Sequence, residues 1–416
     1  MRAVLLVFAA LFCLLANATM AGGTPQPQTP VVTFDQTVAA YERGKHELAR
    51  RRFSQLARLG FAEPQFNYGV MLFRGEGGSA DQAAGKAWLA LAARQGYEPA
   101  VEAAIALGYP DADAIRALSE PVLDYHPLAL FDRHDPANVS DVTPGETVGV
   151  RPDFDLEPIK RQRPRYPDEA FYSRVQGWVT LGGWVHPDGS VRGVVAIQSS
   201  LPEVFDKTSI DAFRQWQFNP SEMPARERPL FVTQTFDYKM RSIARSEMPP
   251  GHPIARRHRQ WLQEGEQDDI SLLRAALVER SYPLRRRVPD EDYRELLFRL
   301  AMQNVPLASA QLAGFCGADR ECRHFWRQRA AFVGHPISLF NLACGTRVEP
   351  ELGAHMMAFA AELGMPAAVL HRLHAVANGE LELDPAKVQE LVDSLPEYLR
   401  EEEQLLFAER DMAHSA

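Results

Sequence analysis

At 416 residues, 46% hydrophobic and 24% charged, the chain is long enough to bury a large core and to divide into about three domains of roughly 150 residues. Its formal charge of -9 argues against nucleic acid or an acidic lipid surface as a partner for the whole protein. The N-terminus sets the expected compartment. Arg2 precedes an apolar run from Ala3 to Ala16, and Ala16-Asn17-Ala18 puts small residues where a signal peptidase reads. Residues 1–21 therefore read as a secretory signal peptide. The run falls short of the roughly 20 apolar residues of a membrane span; an uncleaved, tilted anchor ending near Ala21 is the alternative. The mature chain is expected in the periplasm, with membrane contact only through a partner or that uncleaved segment. Pro25, Pro27 and Pro30 make a short tether.

Next comes a repeated region. Ala57-Arg58-Leu59-Gly60-Phe61 recurs 36 residues later as Ala93-Arg94-Gln95-Gly96-Tyr97, and Pro64 has a near counterpart in Pro99. A period in this range marks paired-helix repeats. Phe66-Asn67-Tyr68-Gly69, Phe73, Gly75, Gly77, Asp81, Ala87-Trp88 and Ala92-Ala93 resemble a SEL-type repeat, a relative of the tetratricopeptide repeat. That resemblance implies small residues where helices touch and aromatic ones in the groove between them. Residues 37–125 are assigned to this region and 126–157, rich in Asp, Pro, Val and Thr, to a linker. His46-Glu47-Leu48-Ala49-Arg50 starts like a zinc-protease helix but ends in Arg, which removes the second ligand.

The segment 158–242 changes period. Val179, Leu181, Gly183 and Val185 alternate with Trp178, Thr180, Gly182 and Trp184, the pattern of a strand with one buried face. Asp188-Gly189 can take the positive φ values of a tight hairpin, returning Val191, Val194 and Ile197 antiparallel. Between Pro202 and Phe218, Val204, Phe205, Ile210, Phe213 and Trp216 fall near helical spacing, predicting a helix across the hairpin. Phe231, Val232, Phe236 and Tyr238 supply a last strand. The expected fold class is α+β, a small three-stranded sheet with a helix, flanked by α-solenoid regions.

Several motifs in this order resemble the C-terminal domain of the TonB energy-transducer family. They are Arg163-Pro164-Arg165-Tyr166-Pro167, the strand start Gly177-Trp178-Val179, the hairpin His186-Pro187-Asp188-Gly189, and Trp216-Gln217-Phe218-Asn219-Pro220, with Pro229 to Met240 as the closing strand. The resemblance covers about a fifth of the chain. It implies a protein-binding module, not an enzyme, whose last strand and Tyr-Pro segment meet the short N-terminal box of outer-membrane transporters. The partner-binding candidates it gives are Pro164, Arg165, Tyr166, Pro167, Leu230, Phe231, Val232, Thr233 and Thr235. The N-terminal run has neither the Ser nor the His of the family's motor-docking anchor, so the chain alone is not expected to harvest a proton gradient. Lys160, Arg161, Arg163 and Arg165 form a basic cluster that reads as a solvated segment or as a patch for an acidic peptide or anionic cell-wall polymer.

Residues 254–410 read as a second helical array. Trp261 to Leu277 and Tyr293 to Met302 have amphipathic helical spacing. Asn304-Val305-Pro306, Gly334-His335-Pro336 and Gly364-Met365-Pro366 recur every 30 residues, helix-stop followed by helix-start chemistry. Asp290 to Glu380 is read as a short α-solenoid, with Pro385 to Phe407 as an amphipathic capping helix. His371 and His374 share a helix face that reads as exposed and polar; no third metal ligand follows by spacing. Of Cys316, Cys322 and Cys344, one pair is expected to be oxidised, Cys316 with Cys322 or either with Cys344.

No nucleophile elbow, phosphate loop or dinucleotide fingerprint occurs, and no cofactor, catalytic residue or metal site is assigned. Two functions follow. The first is a periplasmic module that pairs an extended partner peptide with the edge strand Leu230 to Lys239, in outer-membrane transport. The alternative is a SEL-type scaffold for cell-envelope protein complexes without energy transduction.

Overall fold

Proline starts and short caps set most of the helices. The structure, a computed structural model, describes residues 34–127 and 158–400, apart from 200, 202–203, 220–229, 241–250, 252, 282–283, 286, 317–318 and 345–349. The expected signal peptide, the tether, most of the 126–157 linker and the capping helix beyond 400 lie outside the described residues. Among the described residues, no helix is long and apolar enough to cross a membrane.

In chain order the first helices are α1 (Phe34–Glu42), α2 (His46–Arg58), α3 (Ala62–Arg74), α4 (Gln82–Arg94), α5 (Glu98–Ala106) and α6 (Ala112–Ser119), closed by a 3-10 turn at Glu120–Tyr125. The middle holds β1 (Pro158–Lys160), α7 (Asp168–Tyr172), β2 (Gly177–Val185), β3 (Val191–Ser199), α8 (Asp206–Phe213), β4 (Gln217–Phe218) and β5 (Leu230–Tyr238). There follow α9 (Pro253–Glu264), α10 (Asp269–Ser281), α11 (Asp290–Met302), α12 (Pro306–Leu312), α13 (Arg320–Phe332), α14 (Pro336–Ala343), α15 (Pro350–Glu362), α16 (Pro366–Ala377) and α17 (Pro385–Ser394). Contacts divide the chain into two units, each discontinuous: the described part of one is 34–127 with 297–335, and of the other 158–296 with 336–400.

In the first unit the helices touch where side chains vanish. A Cβ on Gly69 of α3 would stand 2.9 Å from the Gly85 carbonyl of α4, so only glycine lets these backbones meet. Trp88 is buried beside them, stacked on Tyr125 and edge-on to Tyr68. Arg329 of α13 is 3% exposed and donates to the Leu59 carbonyl at 2.8 Å and to Asn304 Oδ1 at 3.0 Å, with its guanidinium over the Phe61 ring. Burial pushes that guanidinium down to about 9. A cation placed at the carbonyl-rich end of α2 complements the helix dipole there.

In the second unit β2 is central in the sheet order β3-β2-β5, all antiparallel, and β1 pairs with β4. Of the Asp188-Gly189 pair only Gly189 has positive φ, because the turn spans His186 to Ser190, closed by His186 N–H to Ser190 O and by Ser190 N–H to Asp188 Oδ1. Val179, Leu181 and Val185 face Phe205, Ile210 and Phe213 of the α8 layer in one core with Trp261 and Val278 of α9 and α10.

Four expectations are corrected. The strand was predicted to bury one face, yet Thr180, Gly182 and Trp184 are buried as well. The cover comes from α14 and α16: His374 stacks on Trp184 at 4.5 Å, and Phe340 and His371 pack on Phe231, so the histidine face is packed instead of exposed. The predicted helix from Trp261 to Leu277 is broken after Glu264, because Asp268 caps α10 by accepting from Ile270 and Ser271 N–H. The capping helix is interrupted after Ser394, since Leu395 precedes Pro396 and is held extended, and helix resumes over 397–400.

Candidate partner-binding site

β5 is an outer strand. Its register with β2 runs without a break from Leu230 opposite Val185 to Tyr238 opposite Gly177. No other described strand pairs with it. The pleat sends Val232 and Phe236 to the α8 face and Phe231, Thr233 and Thr235 to the α16 face. Phe231 rests against Trp184 with centroids 4.7 Å apart, and Thr235 Oγ1 lies 2.8 Å from Thr180 Oγ1. Val232 is buried, while Phe231, Thr233 and Thr235 are half-buried. The side chains thus anchor β5 to the sheet, and its outer side presents main-chain N–H and C=O groups.

The second element is the Tyr-Pro segment, which crosses α8. Trp216 Nε1–H donates to the Gln162 carbonyl at 2.9 Å and Thr208 Oγ1–H to the Arg165 carbonyl at 2.7 Å. Between segment and helix lies a surface groove of about 570 Å³ lined by Pro164, Arg165, Tyr166 and Pro167 on one side and by Lys207, Asp211 and Gln215 on the other. Tyr166 hydrogen-bonds through its hydroxyl to the Val175 carbonyl and meets Phe171, Phe205 and Tyr238 edge-on. Burial, then the nearby Tyr238, pushes its phenol up to about 12, so it stays a neutral donor at physiological pH. Arg165 pairs with Asp168 at 3.0 Å on an exposed surface, an interaction worth little. The groove and β5 lie on one small domain, joined through the contact of Tyr166 with Tyr238. Sequence reasoning omits Lys207, Asp211 and Gln215, although four-residue spacing puts Lys207 and Asp211 on one face of α8, with Gln215 in the turn that follows.

Elsewhere, Cys316 and Cys322 are joined by a disulfide with Cα atoms 5.7 Å apart, and Cys344 is unbridged, its thiol pushed up to about 12 by burial. Among the described residues no group of three or more His, Cys, Asp or Glu side chains could hold a metal ion.

A short antiparallel sheet with a crossing helix, a Tyr-Pro lead-in and an outer strand that pairs on one side among the described residues define a small α+β domain. Residues 162–240 match the family model of the Gram-negative bacterial TonB protein C-terminal. Protein TonB from each of two strains of Xanthomonas campestris pv. campestris is 37% identical over 67 residues, which is 16% of this chain. The chain spans 30% of the length of those relatives.

Proposed function

We propose that this protein is a periplasmic, non-catalytic binding module that recruits an extended segment of a partner protein as a fourth strand on β5. The observation that supports it best is a nine-residue outer strand, regular in register and paired on one side among the described residues. Unpaired N–H and C=O groups on such an edge give affinity through the main chain. The neighbouring groove receives the side chains that select the partner, with Lys207 and Asp211 as opposite charges four residues apart. The match over 162–240 supports a partner in envelope transport, the N-terminal box of an outer-membrane transporter. Energy for such transport comes from a separate motor-linked protein.

The test is hydrogen exchange on the full-length protein with and without a synthetic peptide carrying a transporter N-terminal box from the same Gram-negative cell. Strand addition protects every second amide of β5, because only alternate N–H groups point outward. Saturable binding with protection confined to the groove, or spread without alternation, sinks the proposal.

A further inference from the structure

The first unit carries a basic groove that strand addition does not use. It has a volume of about 430 Å³ and is walled by α2 and the loop after α3. Three guanidiniums, Arg50, Arg51 and Arg58, face one carboxylate, Glu47, giving a formal lining charge of +2 on a chain whose total is -9. Arg50 builds the wall, since its Nη2 donates to the Ser79 carbonyl at 2.9 Å. Arg51 and Arg58 are exposed and seven positions apart, nearly two helical turns, so they stand on one stripe about 10 Å apart. Gln55, also exposed, lies between them on that stripe. Arg58 is positioned over the Tyr125 ring at 5.4 Å, and Tyr68 supplies an aromatic wall backed by Trp88.

We infer that this groove binds an extended acidic peptide of a partner protein. In an extended polyproline II segment, side chains three residues apart share one face and are separated by about 9 Å. Two carboxylates at that spacing therefore reach Arg51 and Arg58 together, while an apolar residue of the two between them meets Tyr68 and the peptide backbone meets Gln55. Glu47, four residues before Arg51, sets the direction: it repels further acidic residues, so the acidic end lies toward Arg58. The groove belongs to the first unit and β5 to the second.

Fluorescence anisotropy with the full-length protein tests this. The probe is a fluorescein-labelled peptide with two glutamates three residues apart and apolar residues between; its control carries glutamines instead. The glutamate peptide should bind about tenfold tighter than the control, and R51Q combined with R58Q should lose about tenfold in affinity. R256Q combined with R320Q removes the same charge elsewhere on the surface and should leave binding unchanged. Equal binding of the two peptides, no binding of either, or no loss in the R51Q/R58Q protein overturns the inference. Competition by inorganic polyphosphate as strong as by the peptide also overturns it, in favour of a general polyanion surface. Because β5 is untouched by these substitutions, their outcome is independent of the strand-addition test.

Discussion

Gly182→Ala asks how full the sheet face under α16 is. A Cβ there would stand 2.5 Å from Phe231 Cζ and 2.9 Å from Ile197 Cδ1. Ordinary carbon contacts lie near ~3.5 to 4.0 Å, so the ring must retreat by about 1 Å. It is wedged by Trp184 with centroids 4.7 Å apart and by Phe340 at 5.6 Å. Overfilling a packed face costs about 1–3 kcal/mol, and exchanging glycine for alanine in a strand returns about 0.5–1 kcal/mol. The expected net loss is about 1–2 kcal/mol, borne by β5. Native-state hydrogen exchange at β5 amides reads that opening energy directly and does not require a chain of two units to unfold in one step. Phe231→Leu clears the space, so G182A in an F231L background should cost about 1 kcal/mol less than in the wild type. An unchanged opening energy in G182A, or simple additivity with F231L, refutes the packing argument.

Two further outcomes are expected. R329M leaves the Leu59 carbonyl and Asn304 without their charged donor; the orphaned acceptors outweigh the relief of burying a cation, and chemical unfolding should show a loss of about 2–4 kcal/mol, with a change under about 0.5 kcal/mol counting against it. Tyr293 is fully buried, and burial raises its phenol from 10.0 to about 12. The folded state therefore keeps a proton that the unfolded state loses, and stability falls as pH rises from 10 toward 12. At pH 11 the wild type should have lost about 1.4 kcal/mol more than Y293F, relative to neutral pH. Parallel pH–stability curves for the two proteins would remove Tyr293 as the cause.

Much of the small domain was legible in sequence because its signals are local. The alternation through Val179 and Val185, the glycine at the hairpin and the apolar spacing from Val204 to Trp216 each describe one element and its nearest neighbour. The order β3-β2-β5 and the position of α8 agree with that reading. The family resemblance drawn from the same motifs agrees with the match over 162–240. Less legible were the breaks after Glu264 and Ser394, where one cap or one proline outweighs a continuing apolar pattern.

Local chemistry in the sequence determined where helices start, which segment forms the sheet and which strand ends it, because caps, turns and periodicity act within a few residues. Tertiary structure alone decided what covers each surface. His371 and His374 read as a polar helix face until Trp184 and Phe231, more than a hundred residues earlier, are found against them. Arg329 likewise looks like one more surface arginine in a basic helix, yet it is buried against Leu59 and Phe61, 270 residues from the first of them. The physical reason is that burial is a property of contacts between segments remote in the chain, and periodicity records that a face is apolar or polar without recording its partner.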